Sequence, residues 1–167
     1  MIADYDPHWP RLFLREAERI RTALSERALR IEHTGSTSVP DLVAKPIIDI
    51  LVVVADSADE AAYLPSLEVA GYALRFREPS WFEHRLFRGA DTEINLHVLS
   101  DGCPEIKRIL MFRDRLRANR EDRDLYAQTK LNLAKLEWAD VQKYADAKTA
   151  IVEKILERAQ AQEGARF

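Results

Sequence analysis

The 167-residue sequence has little cysteine and no long apolar run. Its one cysteine, Cys103, excludes an intramolecular disulfide and argues against a cysteine-built zinc site. The longest apolar run, residues 47–55, is interrupted by Asp49 and is far shorter than the ~20 residues that a membrane-spanning helix needs. The first residues lack the cationic and apolar segments of a signal peptide. We therefore expect a cytoplasmic protein without membrane association.

An excess of positive charge is also missing, since the net charge at pH 7 is −3. This balance argues against general adhesion to nucleic acid, which we do not expect as a partner. The contents of hydrophobic residues (47%) and charged residues (32%) are ordinary for a soluble globular protein. A chain of this length suits a single domain over residues 1–167.

The spacing of apolar residues predicts helices and strands in the first half of the chain. Asp6, followed by a proline, is typical of a helix start. Ser57 and Glu60 form a capping-box pattern before a second helix that ends at Gly71. Pro65 inside that helix predicts a kink or a late start. Four elements are predicted between the first and the second helix. They are a strand over residues 29–33, a turn-rich loop over 33–40, a short helix over 41–44 and a buried strand over 46–55.

The second half predicts three strands and then helices. Residues 89–91 form a tight connection, so the last two strands are expected to form a hairpin. From Pro104 to near Gln162 the pattern is helical, with breaks near Asn119 and near Trp138–Asp140. The predicted strands are residues 72–78, 84–89 and 92–100. This order predicts an α/β (α+β) fold, a mixed sheet flanked by helices with a helical C-terminal section.

A glycine and three hydroxyl side chains follow the first predicted strand. Gly35 has no Cβ and lets the backbone approach a bound group closely. Ser36, Thr37 and Ser38 add hydroxyl donors, and the backbone amides of such a turn form a concavity that binds anions. The next strand is apolar except for Asp49, and burying its carboxylate requires a cation or hydrogen bonds. A metal ion would satisfy it; an ion pair with a lysine or arginine, or a strand end in water, are the alternatives.

Six motifs are spread over nearly the whole chain. They are His-Thr-Gly-Ser-Thr-Ser-Val-Pro at 33–40, Ala-Lys-Pro-Ile-Ile-Asp-Ile-Leu-Val at 44–52, His-Arg-Leu-Phe at 84–87, Asn-Leu-His-Val at 95–98, Phe-Arg-Asp-Arg-Leu-Arg at 112–117 and Tyr-Ala-Asp-Ala-Lys at 144–148. Together they resemble the GrpB family of the nucleotidyltransferase superfamily. The resemblance implies a nucleotidyltransferase-like fold for the chain.

In that superfamily a Gly-Ser turn holds nucleotide phosphates, and two acids on the next strand and a third on a neighbouring strand bind divalent metal. The resemblance assigns Gly35 and Ser36 to the phosphates and Asp49 to Mg²⁺, or to Mn²⁺ in its place. The second acid position holds Leu51, whose side chain shares a face with Asp49 and cannot bind a metal. This departure argues against two-metal catalysis and leaves one metal with fewer protein ligands as the alternative.

The predicted strand over residues 92–100 offers the third metal ligand. Glu93, Asn95 and His97 share one face, because strand residues alternate. Glu93 could supply a carboxylate to the metal, and His97 could act as a ligand, a general base or a phosphate contact. The alternatives are a solvent-exposed sheet face for Glu93 and a hydrogen-bonded buried ring for His97.

Further basic side chains are candidate phosphate contacts. His33 precedes the turn and either shapes it or contacts the ligand. Four side chains complete the predicted nucleotide-binding set: Lys45, His84, Arg85 and Arg113. Cations hold phosphates, but solvated faces and surface salt bridges are the alternatives. Lys130 and Lys148 on the later helices could also reach the cleft, although surface salt bridges are the commoner role of such residues.

Three hypotheses follow for the function. The first is a nucleotidyltransferase that moves a nucleotide from an NTP to an unspecified acceptor, with Asp49, Glu93 and His97 as catalytic side chains. The second, favoured by Leu51, is a non-catalytic module that binds a nucleotide or another phosphate-bearing small molecule, or helps a partner enzyme. The third is a metal-dependent hydrolase built on Asp49 and three histidines, those at 33, 84 and 97.

Overall fold

The computed structural model of the protein describes residues 1–135 and 141–165, which form five α-helices and five strands. In chain order these are α1 (Trp9–Leu24), β1 (Arg30–Thr34), β2 (Ile48–Val54), α2 (Leu64–Val69), β3 (Ala73–Glu78), β4 (His84–Arg88), β5 (Ile94–Ser100), α3 (Pro104–Ala118), α4 (Arg120–Ala134) and α5 (Val141–Ala165). None of the helices described is both long and apolar enough to cross a membrane.

The strands form one mixed sheet in the order β1-β2-β5-β4-β3. β2 and β5 run parallel, and the other neighbouring pairs are antiparallel. Parallel strands need a long crossover connection, and here α2, β3 and β4 lie within it. The predicted mixed sheet and the hairpin of β4 and β5 are confirmed.

Helices cover both faces of the sheet. α1 and α2 lie on one face, where β2 contributes four buried side chains: Ile48, Ile50, Val52 and Val54. α3 packs on the other face against Leu51 and Val53 of the same strand. α4 and α5 extend this second layer around Tyr126 and Ile155. β2 is thus apolar on both faces, as a central strand should be, and Asp49 is the exception.

The first helix begins at Trp9, two residues later than predicted. Asp6 does not act as its N-cap, a position that His8 takes. Instead, the Asp6 carboxylate accepts a bond from the His8 amide at 2.9 Å, and its carbonyl accepts one from the Trp9 amide at 3.0 Å. Asp6 therefore closes a turn ahead of the helix.

The predicted capping box at Ser57 and Glu60 is wrong. The Ser57 amide and hydroxyl both bond to Ser100 Oγ, at 2.8 and 2.9 Å, and Glu60 pairs with two arginines of β3 and β4. These partners lie far away in the sequence and replace the local cap. The late start predicted from Pro65 is confirmed, since α2 begins at Leu64.

The short helix predicted over residues 41–44 is not formed. A 3-10 turn lies earlier, at Ser36–Ser38, and Asp41 has a φ of +66°, which interrupts a helix. Ala44 instead pairs with Ala3 through two backbone hydrogen bonds of 2.8 and 3.0 Å. The loop between β1 and β2 is therefore held by the segment before α1.

The break predicted near Asn119 is confirmed. The Asn119 side chain accepts a bond from the Asp122 amide at 2.9 Å and caps α4. The break predicted near Trp138–Asp140 lies outside the described residues.

Candidate functional site

The Gly35–Ser36 turn and Asp49 meet at one end of the sheet. Thr34, the last residue of β1, pairs with Asp49 on β2, so the chain leaves β1 beside that carboxylate. Gly35 has a φ of +70°, and a Cβ placed there would lie 2.3 Å from Asp49 Oδ2. Both the backbone conformation and the contact require glycine. The turn and the carboxylate therefore form one crevice.

His33 supports the turn from the opposite face of the sheet. Its ring stacks on Phe13 of α1, with centroids 4.8 Å apart, and its Nε2 lies 3.0 Å from Thr37 Oγ1. Because Thr37 donates its one hydroxyl proton to the Ile47 carbonyl at 3.2 Å, His33 Nε2 is the donor. Burial lowers the pKa of His33 to about 4, so the ring is neutral at pH 7. Of its two predicted roles, His33 has the one that shapes the turn.

Two arginines of α3 fix the backbone near the turn. Arg113 is buried, and its Nη1 donates to Glu32 Oε2 at 2.7 Å and to the His33 carbonyl at 3.0 Å. Arg117 Nε donates to the Ser38 carbonyl at 2.8 Å. These bonds hold Arg113 at Glu32 and the backbone of β1, and its assignment to the phosphates stays a prediction.

Two other predicted site residues lie away from the crevice. Arg85 pairs with Val98 and faces the α1 side of the sheet, where it is buried and bonded to Glu60 at 2.7 Å. Glu93 has 73% of its side chain exposed and lies 3.8 Å from Arg88. Because β5 begins one residue after Glu93, that residue belongs to the connection rather than to the strand. The structure therefore brings neither side chain to Asp49.

Lys130 of α4 reaches the turn and is buried there. Its Nζ donates to Ser36 Oγ at 2.8 Å and to the Val43 carbonyl at 3.0 Å, and it lies 5.2 Å from the centroid of the Tyr126 ring. Burial lowers the pKa of Lys130 to about 8, and repulsion from Lys148 adds to this effect. Of the two alternatives for Lys130, the surface salt bridge is therefore wrong, and the side chain lies at the cleft.

Lys45 and Lys148 bring two more positive charges to the same end of the crevice. The Lys148 side chain is exposed overall, but desolvation of its ammonium group and repulsion from Lys45 lower its pKa. Within the part of the chain that the structure describes, no carboxylate forms an ion pair with these lysines or with Lys130. We call Lys45, Lys130 and Lys148 the lysine cluster. Its ammonium groups retain the capacity to bind an anion.

A row of hydrogen bonds runs from Asp49 across the sheet. Asp49 Oδ1 lies 3.2 Å from His97 Nε2, and His97 Nδ1 lies 3.0 Å from His84 Nε2. His84 Nδ1 in turn lies 2.8 Å from Glu78 Oε1. Each of these three contacts needs one proton between its two atoms. The two imidazoles, when neutral, carry only two protons, so all three hydrogen bonds form only when a third proton is taken up. Burial lowers the pKa of His84, which opposes that third proton.

The donors around Asp49 fit one divalent ion rather than two. Leu51 is fully buried among apolar side chains, so the second acid position offers no ligand. Asn95, the neighbour of Asp49 on β5, has a buried Oδ1 with no hydrogen-bond partner among the described residues. Residues 1–135 and 141–165 contain no group of three His, Cys, Asp or Glu side chains placed to hold a metal. The hydrolase hypothesis also fails on geometry, because His33 faces away.

A cavity of about 280 Å³ opens beside Asp49, between the sheet and helices α3 and α5. Its wall is mostly apolar. Asp49, His84 and His97 form a polar edge, and Arg108 and Arg113 also line it. Trp81, from the turn between β3 and β4, stands at the rim with its ring edge-on to His84 at 5.0 Å between centroids. A larger groove of about 840 Å³ near Cys103 contains none of the crevice residues. Asp49 thus adjoins both the lysine cluster and an apolar cavity.

The strand order and the Gly-Ser turn that leads to an acid on the second strand define a nucleotidyltransferase-type fold. The Cid1 poly(U) polymerase with Mg and 3′-dATP bound has a similar structure, with a TM-score of 0.58 at 13% identity. The match covers 80% of this chain and 43% of the polymerase chain. At this identity the likeness concerns the fold alone.

The chain belongs to the GrpB family, whose model, described as GrpB protein, matches residues 1–158. A UPF0157 protein of Halalkalibacterium halodurans is 63% identical over 160 residues, which are 96% of this chain and 82% of that relative. The crystal structure of conserved protein GrpB from Enterococcus faecalis matches with a TM-score of 0.84 at 33% identity, covering 98% of this chain and 99% of that one. The family and the fold predicted from the motifs are confirmed.

Proposed function

We propose that the protein binds a nucleotide, with its phosphates on the Gly35–Ser36 turn and the lysine cluster. The observation that supports this most directly is the buried ammonium group of Lys130, which contacts Ser36 and pairs with no carboxylate among the described residues. Burying an unpaired ammonium group is unfavourable, and an anion in the crevice would compensate it. Phosphate oxygens suit this place, because they accept bonds from ammonium groups, hydroxyls and turn amides alike.

A divalent cation fits the proposal as a companion of the nucleotide. Mg²⁺ commonly binds to one or two carboxylates together with substrate phosphates. Asp49 supplies one carboxylate in contact with the turn at Gly35. When bound there, Mg²⁺ or Mn²⁺ would neutralise phosphate charge. Asp49→Asn is therefore expected to remove the dependence of nucleotide binding on the metal.

Transfer of the nucleotide to an acceptor is a second candidate function. The contact between Asp49 and the turn, within a nucleotidyltransferase-type fold, favours it. His97, which contacts Asp49, is then the candidate general base, whereas Glu93 has no role in this proposal. Release of pyrophosphate from an NTP over a panel of acceptors would distinguish transfer from binding alone.

Calorimetric titration with inorganic tripolyphosphate and with ATP, CTP, GTP and UTP, with and without Mg²⁺, tests the binding. Lys130→Met and Lys148→Met are expected to weaken tripolyphosphate binding by about tenfold or more, since each removes a cation but keeps an unbranched side chain. The wild-type affinity is expected to fall as pH rises through about 8, where Lys130 loses its proton.

Lys107→Met is the matched control, because Lys107 is exposed on α3 outside the crevice. It should leave the dissociation constant within about twofold of the wild-type value. Equal binding by wild type and both crevice variants would contradict the proposal. The proposal would also be contradicted if none of these probes bound to the wild-type protein.

A further inference from the structure

The cavity beside Asp49 is apolar at the place where the second acid of a two-metal site would lie. Leu51 holds that position and is fully buried at the cavity wall. The apolar side chains that form this wall include Leu51, Leu99, Ile109, Phe112, Val152 and Leu156. Such a lining repels a hydrated cation and favours an uncharged group that leaves water.

The polar edge and the rim of the cavity contain three flat rings, those of Trp81, His84 and His97, beside two arginines, Arg108 and Arg113. The rings of His84 and His97 stack with centroids 5.2 Å apart and planes 27° apart. Trp81 stands at the rim and is 40% exposed, so part of its ring surface is open to a ligand. Aromatic surfaces pack best against another flat ring, in stacked or edge-on geometry. The imidazoles and Asp49 can also hydrogen-bond to polar atoms on the edge of such a ring.

The volume of the cavity limits what it can hold. At about 280 Å³ it is slightly smaller than the roughly 300–1,000 Å³ of pockets that enclose drug-sized ligands. It therefore suits one ring system rather than a whole nucleotide, and the phosphates must lie outside it. The turn residue Gly35 lines the cavity, so the cavity opens onto the crevice that ends at the lysine cluster.

We propose that this cavity binds an uncharged aromatic ring, and that the ring is held next to phosphates bound by the lysine cluster. The location of the phosphates rests on the proposed function; the ring site rests on the cavity itself. The ring has two sources with the same chemistry: the base of the nucleotide, or an aromatic group of an acceptor. Either is flat, uncharged and able to hydrogen-bond at its edge.

Filling the cavity tests this inference. Val152 is half-buried on α5 and lines the cavity, so Val152→Trp would place an indole there. Calorimetry would use adenosine, uridine and indole as ring probes, and inorganic tripolyphosphate as the probe without a ring. Val152→Trp is expected to weaken ring binding by about tenfold or more and to leave tripolyphosphate binding within about twofold.

A comparison of ATP with tripolyphosphate identifies the source of the ring. If the ring is the nucleotide base, wild type binds ATP more tightly than tripolyphosphate, and Val152→Trp removes the difference. If the ring belongs to an acceptor, ATP and tripolyphosphate bind with equal affinity, and Val152→Trp changes neither affinity. In that case the variant binds only adenosine, uridine and indole more weakly than wild type does. Each of these patterns supports the ring site.

Val69→Trp is the matched control, because Val69 is 91% exposed on α2, at the opposite face of the sheet. Methyl NMR of the wild type, with shifts at Leu51 and Leu99 on addition of adenosine or indole, tests the site without any substitution. Unchanged methyl signals, or equal ring binding by wild type and folded Val152→Trp, would overturn the inference and leave the phosphate proposal intact. Ring binding without tripolyphosphate binding would overturn only the phosphate proposal.

Discussion

His33 on β1 and His97 on β5 lie on opposite faces of the sheet, and the two rings differ in burial and in their surroundings. On the α1 face, His33 is buried, stacked on Phe13 and bonded to Thr37. On the other face, 29% of the His97 side chain is exposed, beside Asp49 and the cavity. The first ring has its contacts supplied by the fold, whereas the second borders space that a ligand can enter.

Two buried cationic side chains, Arg113 and Lys130, differ in the same way. Arg113 and Lys130 are almost equally buried, with 9% and 8% of the residue exposed. Arg113 is paired with Glu32, whereas Lys130 has only neutral partners, a hydroxyl and a carbonyl. Burial alone therefore does not indicate a ligand site. A buried ammonium group that no carboxylate contacts as an ion pair does, even though Asp49 attracts that of Lys130 from farther away.

The largest expected effect lies where the turn meets the open face. Gly35→Ala places a methyl group 2.3 Å from Asp49 Oδ2 and puts a Cβ on a residue with a φ of +70°. We expect tripolyphosphate binding to be lost and the free energy of unfolding to fall by about 2–4 kcal/mol, as measured by urea denaturation. Gly102→Ala is the control, since it has a φ of +81° but no atom within 4 Å of the new Cβ. Equal losses in the two variants would exclude the Asp49 contact as the cause.

An effect on stability within the same range, but without a direct loss of binding, is expected from pH on the closed face. Burial, followed by repulsion from Arg117, lowers the pKa of His33 from 6.5 to about 4. Between these values the unfolded chain takes up a proton that the folded chain does not, so stability falls as pH falls from 6.5 to 4. His33 should account for about 3 kcal/mol of this loss.

Urea denaturation of wild type and His33→Gln across this pH range measures that share. Glutamine keeps a donor for Thr37 but has no proton to gain. Carboxylates such as Glu60, whose pKa is lowered to about 2 by its bonds to Arg77 and Arg85, contribute equally to both proteins. Parallel pH profiles for wild type and variant would show that His33 does not control this window.

The smallest effect on stability is expected on the open face. His97 is partly exposed and its contact with Asp49 is 3.2 Å long, so His97→Gln should change the free energy of unfolding by less than about 1 kcal/mol. Urea denaturation at pH 7, alongside His33→Gln, makes the comparison direct. A loss above about 2 kcal/mol would show that His97 supports the fold as His33 does.

Patterns that depend on the sheet itself were predictable from the sequence. The strand predicted over residues 46–55 is found at Ile48–Val54, because a run of β-branched side chains needs burial on both faces. Local capping signals were less reliable. The Ser57 hydroxyl bonds to Ser100 rather than to a helix amide, because the folded sheet offers a partner that is distant in sequence.

The site was predictable only where its parts lie on adjacent strands. The meeting of Gly35 and Asp49 follows from one short loop between β1 and β2. Lys130, 94 residues from the Ser36 that it bonds, resembles any surface lysine in a charged helix. One signal was present: Asp122, Tyr126 and Lys130 recur every four residues and share the buried face of α4.

The pairing of Ala3 with Ala44 has a consequence for mutagenesis of the crevice. Two main-chain hydrogen bonds hold the residue next to Lys45, and they involve no side chain. Alanine scanning would not detect this pairing, since both residues already are alanine. A change to the backbone itself is needed, such as Ala3→Pro, which removes the amide donor at position 3. This variant would show how strongly the pairing fixes the position of Lys45.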